Sequence, residues 1–310
     1  MKILVTGGCG YKGSILVPKL LALGHTVTVV DIMWFGDYLD THSNLQVINA
    51  DIRSASDDWF NGVGAVIHLA SVANDPCADL EPKLSWETSA LGTMILADKA
   101  VKHGVKQFIY ASSGSVYGVN DAPQVVEETE LAPISEYNKA KMVAERVLLS
   151  YSSDMIIQIV RPATVCGYSP RMRLDVAVNM LTMQALSKGE ITVLGGEQTR
   201  PNIHIEDITD LYIFLLENKI PGVFNAGFEN ISILEIAKMV QEAVSANIKI
   251  LPSNDPRSYR LNSDKLLAIG FSPKNNVKQA IKELIIKFNE NILVDKDIYY
   301  NVRTMKRLSV

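Results

Sequence analysis

The sequence predicts an α/β fold: a doubly wound parallel sheet with a smaller C-terminal α/β lobe. Three observations carry that expectation. Short apolar runs alternate with helical patterns through the first half, the mark of βαβ units. A glycine-rich turn at residues 7–13 joins the first apolar run to the first helical pattern. Beyond residue 167 the alternation continues but loosens, with shorter runs between helices.

Taken in order, strands are expected at 2–6, 26–31, 45–50, 65–69, 107–112 and 155–161, all short and rich in Val, Ile and Leu. Helices are expected between them at 12–23, 84–103 and 135–150. The second half reads as a helix at 176–188, a short strand at 191–194 and a helix around 207–217. A strand at 222–226, a helix at 233–243, a short strand near 248–251 and a helix near 277–291 follow. No internal repeat or low-complexity linker interrupts the chain, so the second lobe should fold onto the first. The strand at 222–226 is expected to rejoin the main sheet.

Composition bounds the function classes. The 310 residues are 47% hydrophobic and 21% charged, ordinary for a well-cored protein. A net charge of -4 and the lack of any Lys/Arg run give no reason to expect nucleic acid or a membrane surface as partner. No uncharged apolar run reaches the roughly 18 residues of a membrane span. Cys9, Cys77 and Cys166 lie far apart with no CxxC pair, which makes a reduced, cytoplasmic setting the expectation. His68, His103 and His204 have no ligand spacing with acids or cysteines, so no metal is expected.

The turn Thr6-Gly7-Gly8-Cys9-Gly10-Tyr11-Lys12-Gly13 has glycines at 7, 10 and 13. Gly7 allows the sharp turn, Gly10 lets backbone approach a pyrophosphate, and Gly13 lets the helix pack on the strand. The helix N-terminus, with Tyr11 and Lys12, offers free N–H groups and a positive dipole end to phosphates. Asp31 ends the second strand about 20 residues on, where a carboxylate accepts from an adenosine ribose. It would repel a 2′-phosphate, so NAD is expected rather than NADP. Asp51 and Ile52 are placed for the adenine, and Leu69, Ala70 and Ser71 for the cofactor lying over the sheet edge. The fold class is therefore Rossmann-type. Residues 1–166 are expected to bind the dinucleotide, with a returning segment near 200–230, and 167–310 to form mainly the substrate lobe.

Tyr137 and Lys141 stand four residues apart in a helical pattern and share a face. A free tyrosine, with pKa about 10, is a poor base at neutral pH. A nearby ammonium, with the positive nicotinamide of NAD, stabilises the phenolate. Lys141 can also bond the nicotinamide ribose. The fifth strand runs into Ser112-Ser113-Gly114-Ser115-Val116-Tyr117-Gly118, at the sheet's carboxyl edge, where a serine hydroxyl can meet a substrate hydroxyl.

With Arg161-Pro162 and Arg200-Pro201-Asn202-Ile203-His204-Ile205-Glu206-Asp207, these motifs resemble the extended short-chain dehydrogenase/reductases, specifically their NAD-dependent sugar-nucleotide epimerases and dehydratases. Arg260, Asp264-Lys265 and Gly270-Phe271-Ser272-Pro273 extend the resemblance nearly to the end of the chain. The resemblance implies Tyr137 as base, Ser113 as the catalytic serine and Ser115 at the sugar. It implies Arg200 and Arg260 on the substrate diphosphate, with Arg257 as an alternate, a contact that suits the planar guanidinium. The family's dehydratases carry Thr-Asp-Glu where this chain has Ser113-Gly114-Ser115, so 4,6-dehydration is not expected. Its 3,5-epimerising members carry cysteine at the position of Ser115. Ser89 and Thr164 replace asparagines of the family. Cys166, after the sixth strand, reads as a buried thiol.

What remains is hydride and proton transfer at C4 of a nucleotide-diphosphate sugar. The expected reaction is 4-epimerisation; the alternatives are a 4-dehydrogenase or 4-ketoreductase that releases its product. A non-catalytic NAD binder is the competing class, and the Tyr137/Lys141/Ser113 trio argues against it. Leu84, Ala90, Leu91, Met94, Ile95 and Ala97 stripe one helix, and Met142, Val143, Val147 and Leu148 another. In the family such helices pair across a two-fold axis, so a homodimer is expected; a purely internal role is the alternative.

Overall fold

The computed structural model describes residues 1–120, 122–253 and 258–309. Six strands follow one another in βαβ fashion: β1 (Lys2–Thr6), β2 (Thr26–Asp31), β3 (Leu45–Asn49), β4 (Val63–His68), β5 (Gln107–Ala111) and β6 (Ile156–Pro162). Between them lie α1 (Gly13–Ala22), α2 (Asp75–Ala78), α3 (Pro82–Trp86), α4 (Gly92–Lys102) and α5 (Glu136–Leu149). Their side chains are apolar on both faces, as a sheet covered by helices on each side requires.

Beyond them come β7 (Thr164–Cys166), α6 (Ala177–Lys188), β8 (Glu190–Leu194), β9 (Thr199–His204), α7 (Ile205–Asn218), β10 (Gly222–Ala226) and β11 (Glu229–Ser232). The chain ends with α8 (Ile233–Ala243), β12 (Asn247–Leu251), α9 (Asp264–Ala268), α10 (Val277–Asn289) and α11 (Asn301–Leu308). The main sheet is seven-stranded, in the order β10-β6-β5-β4-β1-β2-β3, and every pairing is parallel. Strand order reverses between β1 and β4, and a crevice opens there at the carboxyl ends. The strand expected to return does so: Gly222 to Ala226 run beside Gln158 to Pro162.

Two cores flank the sheet. On one face Leu16, Val17 and Leu20 of α1 meet Ile208, Leu211 and Leu215 of α7; on the other, Leu96 and Ala100 of α4 meet Ala144 and Leu148 of α5. A third core joins α6, α8, α10 and the β8–β12 pair in the C-terminal lobe. There α8 and α10 begin with capping boxes, Ser232 with Glu235 and Asn276 with Gln279.

One expected helix, 84–103, is broken. A wide π-type turn, Glu87–Leu91, separates α3 from α4. It turns Ser89 inward, where its hydroxyl meets that of Ser71 at 3.1 Å, and it sets Gly92 against Ile52. Leu91 and Met94 remain 43% exposed on the outer face. Among the described residues no helix is long and apolar enough to cross a membrane, and no group of His, Cys, Asp or Glu is arranged to hold a metal.

Candidate active site

A cavity of about 640 Å³ runs along the switch point and into the C-terminal lobe. Its floor is the turn after β1. Gly7 sits at φ +72°, and a Cβ there would stand 2.5 Å from the Ala70 backbone nitrogen, so the turn reaches β4 only as glycine. At Gly10 a Cβ would meet only the Gly7 carbonyl within 4 Å. The backbone is thus bare toward the cavity just before α1, a cradle for phosphate.

Asp31 closes one end. Its carboxylate accepts from the Cys9 and Met33 backbone N–H groups at 3.0 and 2.8 Å. Burial raises its pKa, and those two bonds oppose the rise. The aimed carboxylate, the bare turn and the helix end fit a dinucleotide with an unphosphorylated adenosine ribose. Asp51, Ile52, Leu69, Ala70 and Ser71 also line the cavity. Burial works against the Asp51 charge, but Arg53 bonds it from backbone and side chain and holds its pKa below the usual carboxylate range.

The segment between β7 and α6 folds back over the glycine turn. The Tyr11 hydroxyl donates to the Gly167 carbonyl at 2.7 Å, and Ser169 donates to the Tyr11 carbonyl at 2.8 Å. This brings in two arginines that sequence reasoning missed. Arg171 donates to Asn301 at 2.6 Å and stands over the Phe35 ring, its pKa lowered to about 10 by burial and by Arg173. Arg173 donates to Asp175 at 2.9 Å. Lys12, whose pKa burial and Arg173 lower to about 8, adds a third cation. Three cations beside one phosphate cradle suit a diphosphate. The alternation Arg171-Met172-Arg173-Leu174-Asp175 just ahead of a helix is the signal that could have marked them.

The reacting end belongs to β5 and α5. Ser135 caps α5 by accepting from the Asn138 N–H. One turn in, Tyr137 and Lys141 share the face toward the cavity. Lys141 is buried, donates to the Ala111 carbonyl at 2.8 Å and lies 4.7 Å from the Tyr110 ring centre. Burial and the Lys12 charge push its pKa well down; the Glu145 carboxylate pushes it up. Burial raises the Tyr137 phenol to about 12, against a lowering hydrogen bond from Ser113. Ser113 starts a short 3₁₀ turn (Gly114–Tyr117), and its hydroxyl pairs with that of Ser115 at 2.6 Å. Ser115 in turn donates to Asn138. A proton taken by Tyr137 therefore enters a network already tied by hydrogen bonds to both serines.

Arg200, on β9, lines the far part of the cavity and donates to the Thr199 carbonyl at 3.3 Å. Met180, Leu181, Gln184, Thr192 and Gln198 extend that part into the lobe. Arg260 is not brought in: it is exposed, outside the lining, while its neighbour Tyr259 faces the cavity. Adjacent residues of an extended chain point opposite ways, and here the tyrosine takes the inner position. Arg257 lies outside the described residues. Thr164 lines the cavity, whereas the buried Cys166 thiol donates to the Ile203 carbonyl behind it.

Known proteins resemble this chain in sequence and in fold. UDP-glucuronic acid decarboxylase 2 of Arabidopsis thaliana is 29% identical over 317 residues, covering 96% of this chain and 70% of its own length. The probable UDP-arabinose 4-epimerase 3 of the same plant is 29% identical over 286 residues, covering 80% of this chain and 70% of its own length. Among solved structures, UDP-glucuronic acid 4-epimerase of Bacillus cereus, in complex with UDP-glucuronic acid and NAD, superposes with a TM-score of 0.82. It is 26% identical, with 94% of this chain and 100% of that one covered. The model of the NAD dependent epimerase/dehydratase family matches residues 3–227, from the first strand through the returning one. With the glycine cradle, Asp31 and the Tyr137/Lys141/Ser113 cluster in one cavity, this chain belongs to that NAD-dependent enzyme family.

Proposed function

We propose that this protein oxidises the C4 hydroxyl of a nucleotide-diphosphate sugar and returns the hydride to the opposite face, a 4-epimerisation. The observation that carries it is the composition of the reacting end. Tyr137, Ser113 and Lys141 supply proton transfer, and the two positions beside Ser113 supply no acid. A side chain at Gly114 would press on Leu261 at 2.9 Å and on the Pro162 carbonyl at 3.1 Å, so an acid there does not fit without rearrangement. Among the described residues, the four acids that line the cavity are engaged, Asp31 by the Cys9 and Met33 N–H groups, Asp51 by Arg53, Asp75 by Ser135 and Asp175 by Arg173. That argues against dehydration.

NAD, when bound, is the hydride acceptor and donor. The glycine cradle and Asp31 hold its adenosine half, with Lys12, Arg171 and Arg173 around the diphosphate, and Lys141 faces the nicotinamide ribose. Ser113 orients the sugar hydroxyl toward the Tyr137 phenolate. Arg200 holds the substrate diphosphate in the lobe; Arg260, pointing outward, is the weaker candidate. Since the buried Tyr137 phenol stays near 12 even with the Ser113 hydrogen bond and Arg173 acting on it, the base needs positive charge from Lys141 and the bound cofactor.

A second reading has its own support. A carboxylate at C5 is β to a C4 ketone, so CO₂ leaves with its bonding pair passing into the C4 enolate, which then takes a proton at C5 from water. Arg173 lies close enough to act electrostatically on the Tyr137 phenol, where such a carboxylate would sit, and the Arabidopsis relative is a decarboxylase. Release of the keto sugar, as a 4-dehydrogenase or 4-ketoreductase, uses the same residues. The test is product analysis with UDP-glucose and UDP-glucuronic acid. UDP-galactose or UDP-galacturonic acid supports epimerisation, a UDP-pentose with CO₂ supports decarboxylation, and a keto sugar with net NADH supports release. No product from either sugar defeats the 4-epimerase reading for these substrates. The exposed Leu91 and Met94 fit a homodimer through α4 and α5, which light scattering checks.

A further inference from the structure

Asn138, the residue after Tyr137, is fully buried, an unusual place for a carboxamide. The Ser135 cap accepts from its backbone N–H at 3.2 Å, which fixes the first turn of α5 beside the two serines. Its side-chain Oδ1 accepts from the Ser115 hydroxyl. The Ser115 and Ser113 hydroxyls are 2.6 Å apart, and the Ser115 backbone N–H donates to the Ser113 hydroxyl oxygen at 3.2 Å. Ser113 in turn shares a hydrogen bond with the Tyr137 phenol. A line of hydroxyls thus runs from the base to Asn138. At its end Asn138 Nδ2 is buried with no partner among the described residues. A buried amide nitrogen without an acceptor is rare and calls for a reason.

Counting protons supplies one. A hydroxyl has one proton to give, and a carboxamide oxygen has none. With Oδ1 toward Ser115, the Ser115 proton goes to Asn138 and the Ser113 proton goes to Ser115. Ser113 then offers the cavity a lone pair, which suits a protonated Tyr137 phenol but not a phenolate. A sugar undergoing oxidation needs the reverse. Its C4 hydroxyl gives its proton to Tyr137, hydride leaves C4 for the nicotinamide, and the oxygen, negative in between, needs Ser113 as a donor. A half-turn of the carboxamide provides it. Nδ2 then donates to Ser115, Ser115 to Ser113 and Ser113 to the C4 oxygen, and the orphaned N–H becomes the start of the line. No proton changes owner along it, because each hydroxyl only rotates.

We infer that Asn138 is a positioning residue whose carboxamide decides whether Ser113 offers the C4 oxygen a proton or a lone pair. The inference rests on the reading of Tyr137 as base. Asn138 lies behind the cavity lining and acts through Ser115. Aspartate is the discriminating substitution, because a carboxylate keeps the shape of the carboxamide and can only accept.

Two readouts test it, one of them independent of turnover. The Tyr137 titration is followed by phenolate near-ultraviolet absorbance in NAD-loaded protein, with the matching Tyr137→Phe protein subtracted. A phenolate needs Ser113 to donate, so Asn138→Asp should move the titration up by about one pH unit, tenfold in the ionisation constant. The negative charge alone pushes the same way, so the substitution is repeated on Ser115→Ala, which cuts the line and keeps the charge. There it should move the titration by less than about half as much. Asp75, Cys77 and Arg173 also act on the phenol, and they are common to every variant. With whichever UDP-sugar is turned over, Asn138→Asp should lower kcat by about a hundredfold, as loss of one oxyanion donor does, with KM within about twofold. Asn138→Ala leaves the Ser115 proton free for Ser113 and should cost less than about tenfold. A residue that mattered for packing alone would show the opposite order. An absent upshift, an upshift undiminished by Ser115→Ala, or a larger loss in Asn138→Ala than in Asn138→Asp overturns the inference. Should Asn138→Asp not fold, Asn138→Ala, Ser115→Ala and their combination decide. A combined effect no larger than that of Ser115→Ala supports the inference, and additive effects overturn it. If the wild type turns over neither sugar, the 4-epimerase reading fails, yet the titration still decides the role of Asn138.

Discussion

The reacting end of the cavity and its cover are built by different means. Tyr137 and Lys141 sit on α5, Ser113 and Ser115 on the turn just after β5, and their ties join these neighbouring segments: Lys141 to Ala111, Ser113 to Ser115, Ser115 to Asn138. The cover is the loop of Arg171, Arg173 and Asp175, held by contacts across the chain. Tyr11 reaches Gly167, Arg171 reaches Asn301, and the Asn301 N–H donates to Asp175. A reacting group braced by the central sheet has one geometry. A cover anchored by the buried Met172 and Leu174 and fastened by separate polar ties can lose one tie and stay docked. Substitutions at the first should abolish turnover, and substitutions at the second should grade cofactor retention.

The largest expected effect is at Tyr137. Tyr137→Phe keeps the ring and its packing but removes the proton acceptor, and kcat should fall by about a thousandfold. Thermal stability and bound NAD should be little changed. Product assays on the purified variant, with melting curves and cofactor content alongside, check this; near-wild-type turnover would assign the base elsewhere. Gly7→Ala comes next, at the floor the two regions share. It forces a Cβ onto the Ala70 backbone in a left-handed conformation, costing about 2–4 kcal/mol. Loss of NAD with a lowered Tm is the expected result, and a protein that melts and binds NAD as the wild type does would remove Gly7 from the cradle.

The same contrast explains what was legible in the sequence. The seven-stranded sheet could be read because each parallel strand is a short apolar run covered on both faces. The glycine turn, Asp31 and the Tyr137/Lys141 pair could be read because turn chemistry and helix spacing are local. The cover could not, since Arg171 is a cavity residue only because Asn301, at the far end of the chain, meets it. Strands β7, β9 and β11 were missed for a related reason. β9 and β11 carry Pro201, Asn202 and Asn230, poor strand formers, β7 is only three residues long, and the pairing of all three is dictated by tertiary context. The π-type turn that splits 84–103, with Gly92 against Ile52, is not encoded by the apolar stripe. Arg260 was misplaced by one residue of alternation. Asp207, read as part of a motif, is structural. It accepts from the Lys274 and Asn275 backbone N–H groups at 3.0 Å and fastens α7 to the segment before α10.

The smallest expected effect tests the cover alone. Asn301 begins α11, whose Met305 packs with Val72, Cys77 and Leu84 in a small cluster beside Trp34 and Phe35, next to the adenosine end. Asn301→Ala deletes the acceptor for Arg171 but leaves the backbone bond to Asp175, so the loop should stay docked while its first arginine loses its anchor. A buried guanidinium that loses one partner costs about 1–3 kcal/mol, and bound diphosphate restores some of it by taking the freed donor. The affinity for NAD should therefore drop only several-fold, with kcat at saturating cofactor nearly unchanged. Stopped-flow release of NADH, followed by nicotinamide fluorescence, reads this directly. Faster release with unaltered chemistry supports a cover that acts on retention. A fall in kcat with release unchanged would mean that Arg171 reaches the reacting end through Arg173, its neighbour in the same cavity, and that cover and base are one unit.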